Sequence, residues 1–427
     1  HHFQTLRVGP SGCPDSPGSV TGRRGSHRVV QQRTSGHGEG RHLDAMCFVR
    51  RTVEIAATDT TPGRSRLTRY WRPTASRKTS VAARRKHAPM ADASDRLVVA
   101  MTPLAPQRHV VHDAVMLACR APSLHNSQPW RWVADGACLH LFADRQRLLG
   151  AADPSGRELL LSCGAVLDHL RVAMAAAGWD AHTDRFPNAD QPDHLARLDL
   201  ARIPTPTEAQ RLRAEAILRR RTDRLPFAVP RNWAALESQL RNALGAHGVT
   251  LDVVPDDARE QLADASRLTE ALRRHDPTYQ SELRWWTSPF ELDQGVPPSS
   301  RVAASETGRV DVARSFPTAG YGGRRPQIEQ DHSKILVLST RDDDRVDVLR
   351  CGEALSAVLL ECTVVGLATC TLTHVTEVSP SRDLIRQITG QHGLPQLLIR
   401  VGRTPVNEQQ GRPTPRRPLG EVLEFRS

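Results

Sequence analysis

The segment RELLLSCGAVLDHLRVAMAAAG, residues 157–178, is long and largely apolar. A helix at a protein surface has a polar face, so a helix that is apolar on most sides is expected in the core. Gly178 is expected to end this helix, because glycine adopts the left-handed conformation of helix termini without strain. Asp168, His169 and Arg171 interrupt the apolar run, so the segment is not predicted to span a membrane.

A related segment follows 188 residues further along the chain. The identical residues at that offset are Arg157 and Arg345, Leu161 and Leu349, Cys163-Gly164 and Cys351-Gly352, Leu167 and Leu355, Gly178 and Gly366, and Thr183 and Thr371. Chance accounts for about one or two identities in such a window. The repeat predicts two related halves, each with a long core helix that ends at a glycine, like a two-fold dimer joined into one chain.

Helical and alternating apolar patterns interleave in both halves. Helices are predicted at residues 108–120 and 205–221, the second capped by Thr205 or Thr207. Strands are predicted at residues 138–144, 194–201, 249–255, 333–340 and 395–402. This mixture predicts a mixed α/β or α+β fold.

The basic charge of the chain is confined to its first part. Residues 1–89 hold 17 of the 58 Lys and Arg but 5 of the 47 Asp and Glu, whereas the remainder holds 41 basic and 42 acidic residues. The Gly, Pro, Ser and Arg content of residues 1–89 predicts a disordered or non-native extension, with the start of the protein near Met90 or Met101. The alternatives are a transit peptide and a nucleic-acid-binding tail. Residues 90–205 and 206–427 are predicted to be the two halves.

Residues 271–330 have no counterpart in the first half. They are polar, rich in Pro and Gly, and contain the adjacent Trp285 and Trp286. A long insertion in a compact unit is commonly a lid or a binding loop. The alternative is an ordinary surface loop.

Several common sites are not indicated by the sequence. The eight Cys contain no CxxC pair and no metal-ligand spacing with His, so neither a zinc site nor a disulfide framework is predicted. Scattered thiols fit a reducing cytoplasm, which is the expected location. The chain has no GxGxxG, P-loop or GxSxG motif, so Rossmann, Walker and α/β-hydrolase sites are not predicted.

The loop APSLHNSQPW, residues 121–130, is the first candidate site. Ser123, His125, Asn126 and Gln128 offer hydrogen-bond donors and acceptors between two prolines that stiffen the turn. Such a set suits the polar edge of a flat heterocycle, and a well-capped structural turn is the alternative interpretation.

Two arginine-rich segments are the other candidates. LRRRTDRLPF, residues 218–227, clusters guanidinium groups that match phosphate oxygens, unless they form a solvated basic face. The tail PTPRRPLGEVL carries Arg416 and Arg417, which either close over a phosphate or remain a charged tail. GLATCTLTH, residues 366–374, follows the second core helix and is expected to present backbone amides to a ligand ring.

The chain resembles the nitroreductase-like flavoproteins, and among them the Acg family of dormancy-linked mycobacterial NAD(P)H nitroreductases. The segments that carry the resemblance are ACRAPSLHNSQPWRW, GRELLLSCGAVLDHLRVAMAAAG, RRRTDRLPF, CGEALSAVLLECTVVGLATCTLTH and TPRRPL, within about residues 108–420. The resemblance implies an α+β sandwich that is dimeric in the superfamily, with FMN at the interface. Here it implies a pseudo-dimer of the two halves.

The resemblance also implies which residues hold the flavin. Arg220, Thr222 and Arg224 match the Arg-x-Ser/Thr-x-Arg/Lys element that binds the phosphate, as do the C-terminal Arg416 and Arg417. The loop that reaches the flavin from the partner subunit matches Ser123, Leu124 and Asn126, and the stretch beside the ring matches Thr373 and His374. The neighbouring residues predicted to belong to the site are His125, Gln128, Pro129, Trp130 and Arg221. No catalytic side chain and no metal are predicted.

Each half lacks one component of a flavin site. The second half has no APSLHN loop and the first has no Arg-Arg-Thr-x-Arg element, so we expect one FMN per chain in a monomer. The implied function is electron transfer from NAD(P)H through FMN to a nitroaromatic or quinone. The alternative is a flavin-sequestering stress or dormancy protein, with a closed lid and little turnover, because fold alone does not determine function.

Overall fold

The computed structural model describes residues 105–245, 247–288, 293–318, 323–390, 393–406, 408 and 412–426. The predicted extension at residues 1–89 and the predicted start of the first half at residue 90 lie outside this range. The helices are α1 (Arg108–Ala118), α2 (Arg157–Ala176), α3 (Glu208–Arg219), α4 (Trp233–Leu244), α5 (Arg259–Arg274), α6 (Pro277–Trp286), α7 (Ala304–Thr307), α8 (Arg345–Val364) and α9 (Ser379–Thr389). The strands are β1 (Trp130–Asp135), β2 (Cys138–Ala143), β3 (Trp179–Arg185), β4 (His194–Arg202), β5 (Thr250–Val253), β6 (Lys334–Thr340), β7 (Ala368–Leu372), β8 (Leu394–Gly402) and β9 (Leu423–Arg426).

Two sheets of matching topology form the described part of the chain. The first has the order β3-β4-β2-β1-β9, and the second, read from its far edge, has the order β7-β8-β6-β5. The pairings among the four corresponding strands are all antiparallel. β9 lies parallel to β1, so the last strand of the predicted second half completes the sheet of the first. The combination of helices and sheets confirms the predicted mixed fold class.

The two long helices α2 and α8 cross in direct backbone contact. A Cβ atom on Gly164 would lie 2.0 Å from the Leu349 carbonyl oxygen, and one on Gly352 would lie 2.2 Å from the Leu161 carbonyl oxygen. The two glycines are therefore equivalent in space as well as in the 188-residue repeat. By length and composition α2 is apolar enough to cross a membrane, but 78% of its most apolar window is buried inside the protein.

The predicted helix ends agree with the structure. Gly178 and Gly366 follow α2 and α8 with φ angles of 86° and 77°, which only glycine adopts readily. Of the two candidate caps of α3, the structure selects Thr207, whose side chain accepts from the Gln210 amide in a capping box.

A buried polar network joins α2 to α8 beside the glycine contact. The Ser356 hydroxyl donates to Asp168 at 2.5 Å and lies 2.8 Å from Nδ1 of His169. Because Ser356 has one proton, which goes to Asp168, the hydroxyl accepts from His169. Burial raises the pKa of Asp168 from 3.8 to about 6, although Ser356 and Arg171 oppose the shift.

We expect Asp168→Asn to stabilise the protein at neutral pH but not at acidic pH. Because the pKa of Asp168 is higher in the folded protein, its contribution is fully favourable below pH 3.8 and is lost as the pH rises through 6. Asparagine keeps an acceptor for Ser356 without the charge. Urea unfolding should give a gain that grows by about 2 kcal/mol between pH 4.5 and pH 8. Asp264→Asn, on the exposed face of α5, is the control, and a pH-independent difference for Asp168→Asn would contradict the prediction.

The described part of the 271–330 insertion is packed against the first half. Tyr279 and Leu283 of α6 form a buried cluster with Leu149 and Ala152. Residues 293–318, called the strap below, come after α6 in the sequence and line the cavities described in the next subsection. The insertion is therefore not a detached surface loop in its described residues.

Candidate functional site

A cavity of about 410 Å³, called the large cavity, is lined by both halves and the strap. Helices α2, α5 and α8 and strands β7 and β8 contribute to its walls, as does the loop after Pro122. Apolar side chains such as Leu161, Leu355 and Leu397 alternate with polar ones such as Ser162 and Thr373. Apolar walls with a few polar groups are typical of a site for an organic ligand.

A smaller cavity of about 50 Å³, called the arginine cavity, adjoins the large one. Pro122, Ser123, Thr222 and Arg224 line both cavities. The arginines that line the small one are Arg120, Arg220, Arg221, Arg224 and Arg416. No Asp or Glu occurs among its described lining residues. Five guanidinium groups without a carboxylate form an anion site of about the size of one phosphate.

Burial makes this cluster electrostatically costly without a ligand. Burial, with repulsion from Arg221 and Arg120, lowers the pKa of Arg220 to about 9. Burial also lowers the pKa values of Arg120, Arg221 and Arg224. A bound dianion would reverse these shifts, because it favours the charged guanidinium groups.

The arginines differ in what remains free for a ligand. Arg416 donates to five backbone carbonyls, among them those of Cys119, Arg120 and Ala121, and so holds the tail against the end of α1. Arg220 donates to the Arg120 carbonyl at 3.1 Å, while its Nε is buried and has no partner among the described residues. Arg220 therefore has donor capacity to offer an anion, whereas Arg416 acts mainly as a structural clamp.

Arg224 connects the arginine cavity to the strap. Its guanidinium donates to the Ser300 carbonyl at 3.1 Å and lies 4.8 Å from the centre of the Phe316 ring. The isolated bridge between Thr222 and Thr369 holds this segment beside β7. One side chain thus contacts both the anion site and the strap.

The loop after Pro122 has an unusual backbone. His125, Asn126 and Gln128 have φ angles of 48°, 60° and 51°, which are uncommon for residues other than glycine. Such conformations cost free energy and cluster at functional sites. The loop is held in place because the Leu124 amide donates to the Ser162 hydroxyl at 3.2 Å and Asn126 Nδ2 donates to the Pro415 carbonyl at 3.2 Å.

A buried charged network lines the end of the large cavity near Thr373. Arg314 of the strap pairs with Glu377 and donates to Tyr279 Oη at 2.9 Å and to Thr373 Oγ1 at 3.0 Å. Burial, and then the charges of Arg314 and Arg224, lower the pKa of His125 well below 6.5, so its ring is neutral at neutral pH. Burial and the neighbouring Glu377 raise the pKa of Glu158 in the same wall.

The structure brings most of the predicted site residues to the two cavities. Those that line at least one cavity are Ser123, Leu124, His125, Asn126, Arg220, Arg221, Thr222, Arg224, Thr373 and Arg416. The others, Gln128, Pro129, Trp130, His374 and Arg417, line neither. Gln128 instead binds the backbone of residues 126, 293 and 417, and Trp130 is fully buried in β1.

Other lining residues were not predicted from the sequence. Glu158 and Ser162 are polar residues four apart on an apolar helix, a spacing that places both on one face and was a usable signal. Arg314 had no such signal, because it lies in a polar insertion without periodicity. Arg120 directly precedes the candidate loop, but nothing in its sequence context distinguishes it from other arginines.

Comparisons with known proteins show which proteins this chain is similar to. The chain is 56% identical over 318 residues to the Mycobacterium tuberculosis H37Rv protein named "Putative NAD(P)H nitroreductase acg", covering 74% of this chain and 96% of that protein. It is 54% identical over 321 residues to "Uncharacterized protein Rv3127" of the same strain, covering 74% and 93%. No family model matches. The FMN-dependent nitroreductase NfnB from Mycobacterium smegmatis, solved with NADPH, aligns at 17% identity and a TM-score of 0.33, covering 52% of this chain and 100% of that chain.

The described residues form a mixed helix-and-sheet protein in which an arginine-lined cavity adjoins a larger cavity with apolar and polar walls. The two mycobacterial relatives are 56% and 54% identical to this chain and are matched over nearly their whole length, so they establish the family as well as the fold class. The chain belongs to the Acg family of nitroreductase-like proteins, which confirms the resemblance seen in the sequence motifs.

Proposed function

We propose that the chain is an FMN-dependent oxidoreductase that passes electrons from NAD(P)H to a nitroaromatic or quinone acceptor. The observation that carries the proposal is the arginine cavity, which has five guanidinium groups and no carboxylate among its described lining residues, and which shares four lining residues with the cavity of about 410 Å³. FMN has a phosphate dianion, which suits the arginine cavity, and a large flat ring, which suits the large cavity. The names of the curated relatives supply the NAD(P)H donor and the nitro acceptor.

The residues present fit each part of FMN. Arg120, Arg220, Arg221 and Arg224 would hold the phosphate, with the Thr222 hydroxyl between the two cavities. Ser123 and His125 would contact the remainder of the cofactor from the strained loop. When bound, the flavin supplies hydride acceptance and electron transfer.

The protein's contribution to this chemistry is binding, orientation and exclusion of water. His125 is neutral and therefore adds no positive charge beside the ring. Strap residues such as Val310, Ala313 and Phe316 cover the large cavity. A covered site strengthens the electrostatic interactions inside it.

We further propose one FMN per chain, in a monomer whose halves form a pseudo-dimer. The matching sheets and the Gly164–Gly352 contact support the duplication. Thr373 of the large cavity corresponds, at the 188-residue offset, to Arg185, which forms a bidentate ion pair with the fully buried Glu353 at 2.7 and 2.8 Å. An ion pair to a fully buried carboxylate at the equivalent position leaves little room for a second flavin.

Flavin sequestration with little turnover is the second candidate function. The observation that favours it is that strap residues line both cavities, including Val296 and Ser300 beside the arginines and Phe316 beside the ring position. A strap that stays closed would keep nicotinamide away from the flavin.

An anaerobic experiment separates the two functions. We expect the FMN-loaded protein to release one FMN per chain on denaturation, and its yellow colour to bleach within seconds of mixing with NADH or NADPH. Bound flavin that stays oxidised under both nucleotides would favour sequestration. Two FMN per chain would contradict the single-site proposal, and failure to retain FMN at all would contradict both functions.

A further inference from the structure

A separate cavity of about 280 Å³, called the α5–α6 cavity, lies against the strap. Its walls come from α5, α6, strap residues 314–317 and His374. It has Glu270, Arg314, Ser315 and Phe316 in common with the large cavity. Pockets for drug-sized ligands span about 300–1,000 Å³, so this cavity suits a molecule with one ring.

The walls of the α5–α6 cavity offer flat surfaces. Tyr279 is buried, and the Arg273 guanidinium lies 4.9 Å from the centre of its ring. Phe316 and Leu283 supply further apolar surface. Aromatic rings stack favourably on both aromatic side chains and guanidinium planes.

The charged groups of this cavity include one arginine without a partner. Arg273 and Arg314 share the carboxylate of Glu377, the first at 3.3 Å. Arg274 is exposed at the rim and forms no ion pair with a described residue, while Glu270 is the carboxylate among the lining residues. With Asp276, 3.8 Å from Arg273, three carboxylates accompany the three guanidinium groups, and Arg274 is the guanidinium left without an ion pair.

Two polar atoms of the walls also lack partners. Nδ1 of His374 and Nε of Arg273 are buried without a hydrogen bond to a described residue. His374 is 2% exposed and is held by Ser266, whose hydroxyl lies 2.8 Å from Nε2. Asp276 does not supply the missing partner, because its carboxylate lies 3.8 Å from Nη1 of Arg273 rather than beside Nε. Unpartnered buried polar atoms are rare in proteins unless a ligand or water completes them.

We propose that the α5–α6 cavity binds a small planar aromatic monocarboxylate, with its ring on Tyr279 and its carboxylate at Arg274. The site is distinct from the arginine cavity and does not depend on FMN. Because Phe316 and Arg314 line both cavities, an occupant would contact the strap that covers the large cavity.

Calorimetric titration of the full chain, with and without saturating FMN, tests this site with benzoate as the probe. We expect one benzoate per chain in both conditions, and an affinity for benzyl alcohol about fivefold weaker because it lacks the charge. Arg274→Gln should weaken benzoate binding by about fivefold. The matched control is Arg284→Gln on the exposed surface of α6, which should bind benzoate as the unmodified protein does.

Three results would overturn the proposal. One is the absence of benzoate binding at about 10 mM, a concentration that detects even very weak sites. Another is benzoate binding that FMN abolishes, because this would place benzoate in the large cavity. The last is equal binding of benzoate and benzyl alcohol, or an unchanged affinity in Arg274→Gln. None of these outcomes bears on whether the arginine cavity holds FMN.

Discussion

Gly164→Ala is expected to destabilise the protein by at least about 3 kcal/mol, a large fraction of the roughly 5–15 kcal/mol by which ordinary proteins are stable. The added Cβ would lie 2.0 Å from the Leu349 carbonyl oxygen and 2.8 Å from the Gly352 Cα. Both neighbours are backbone atoms, so α2 and α8 must move apart and open the core between the halves. Helix propensity predicts the opposite sign, since alanine stabilises a helix by about 1 kcal/mol relative to glycine.

Urea unfolding followed by circular dichroism measures this effect. Gly150→Ala is the matched control, because its Cβ would meet nothing within 4 Å and its φ is not in the left-handed region. We expect the control to stay within about 0.5 kcal/mol of the unmodified protein. An equal or higher unfolding midpoint for Gly164→Ala would show that the two helices do not contact through their backbones.

Arg220→Gln is expected to weaken FMN binding by about 100-fold, the value of a charge-assisted hydrogen bond in a buried site. The same change should raise the melting temperature of the flavin-free protein, because it removes the buried member of a cluster of five like charges. A variant that binds FMN more weakly but melts at a higher temperature without FMN is the result that an anion site predicts. Fluorescence quenching of free FMN and thermal melts of both forms provide the two measurements.

The control for Arg220 is the neighbouring Arg219, which is exposed at the end of α3. Arg219→Gln should leave both the FMN affinity and the melting temperature unchanged. Riboflavin, which lacks the phosphate, should bind equally to the unmodified protein and to Arg220→Gln. If Arg220→Gln loses riboflavin and FMN affinity equally, the arginine cavity is not the phosphate site.

The local elements could be predicted because they depend on short-range patterns. The apolar run at residues 157–178 ends at Gly178 and forms α2, and the alternating segments at 138–144 and 333–340 form β2 and β6. The 188-residue repeat placed the two long helices in corresponding positions. Comparing the sequence with itself did not reveal that β9, the last strand of the chain, pairs with β1, the first one.

The candidate site was predictable where residue types cluster in the sequence. Ser123, Asn126, Arg220 and Arg224 lie in short polar or basic segments, and all four line a cavity. Their separate roles were not predictable. Arg416 is occupied by backbone carbonyls, an outcome that depends on the packing of the tail against α1.

The sequence by itself determined four of the described helices (α1, α2, α3 and α8), five of the described strands, the internal repeat and the family, because these follow from periodicity, helix-terminal glycines and motifs that are contiguous in the chain. Only the tertiary structure decided which arginines meet without a carboxylate, how the strap reaches Arg224, and that Gly164 meets Gly352. These are contacts between residues 76 to 296 positions apart. The free energy of these contacts depends on burial and on which other groups lie nearby in the folded protein. No local pattern in the sequence contains that information.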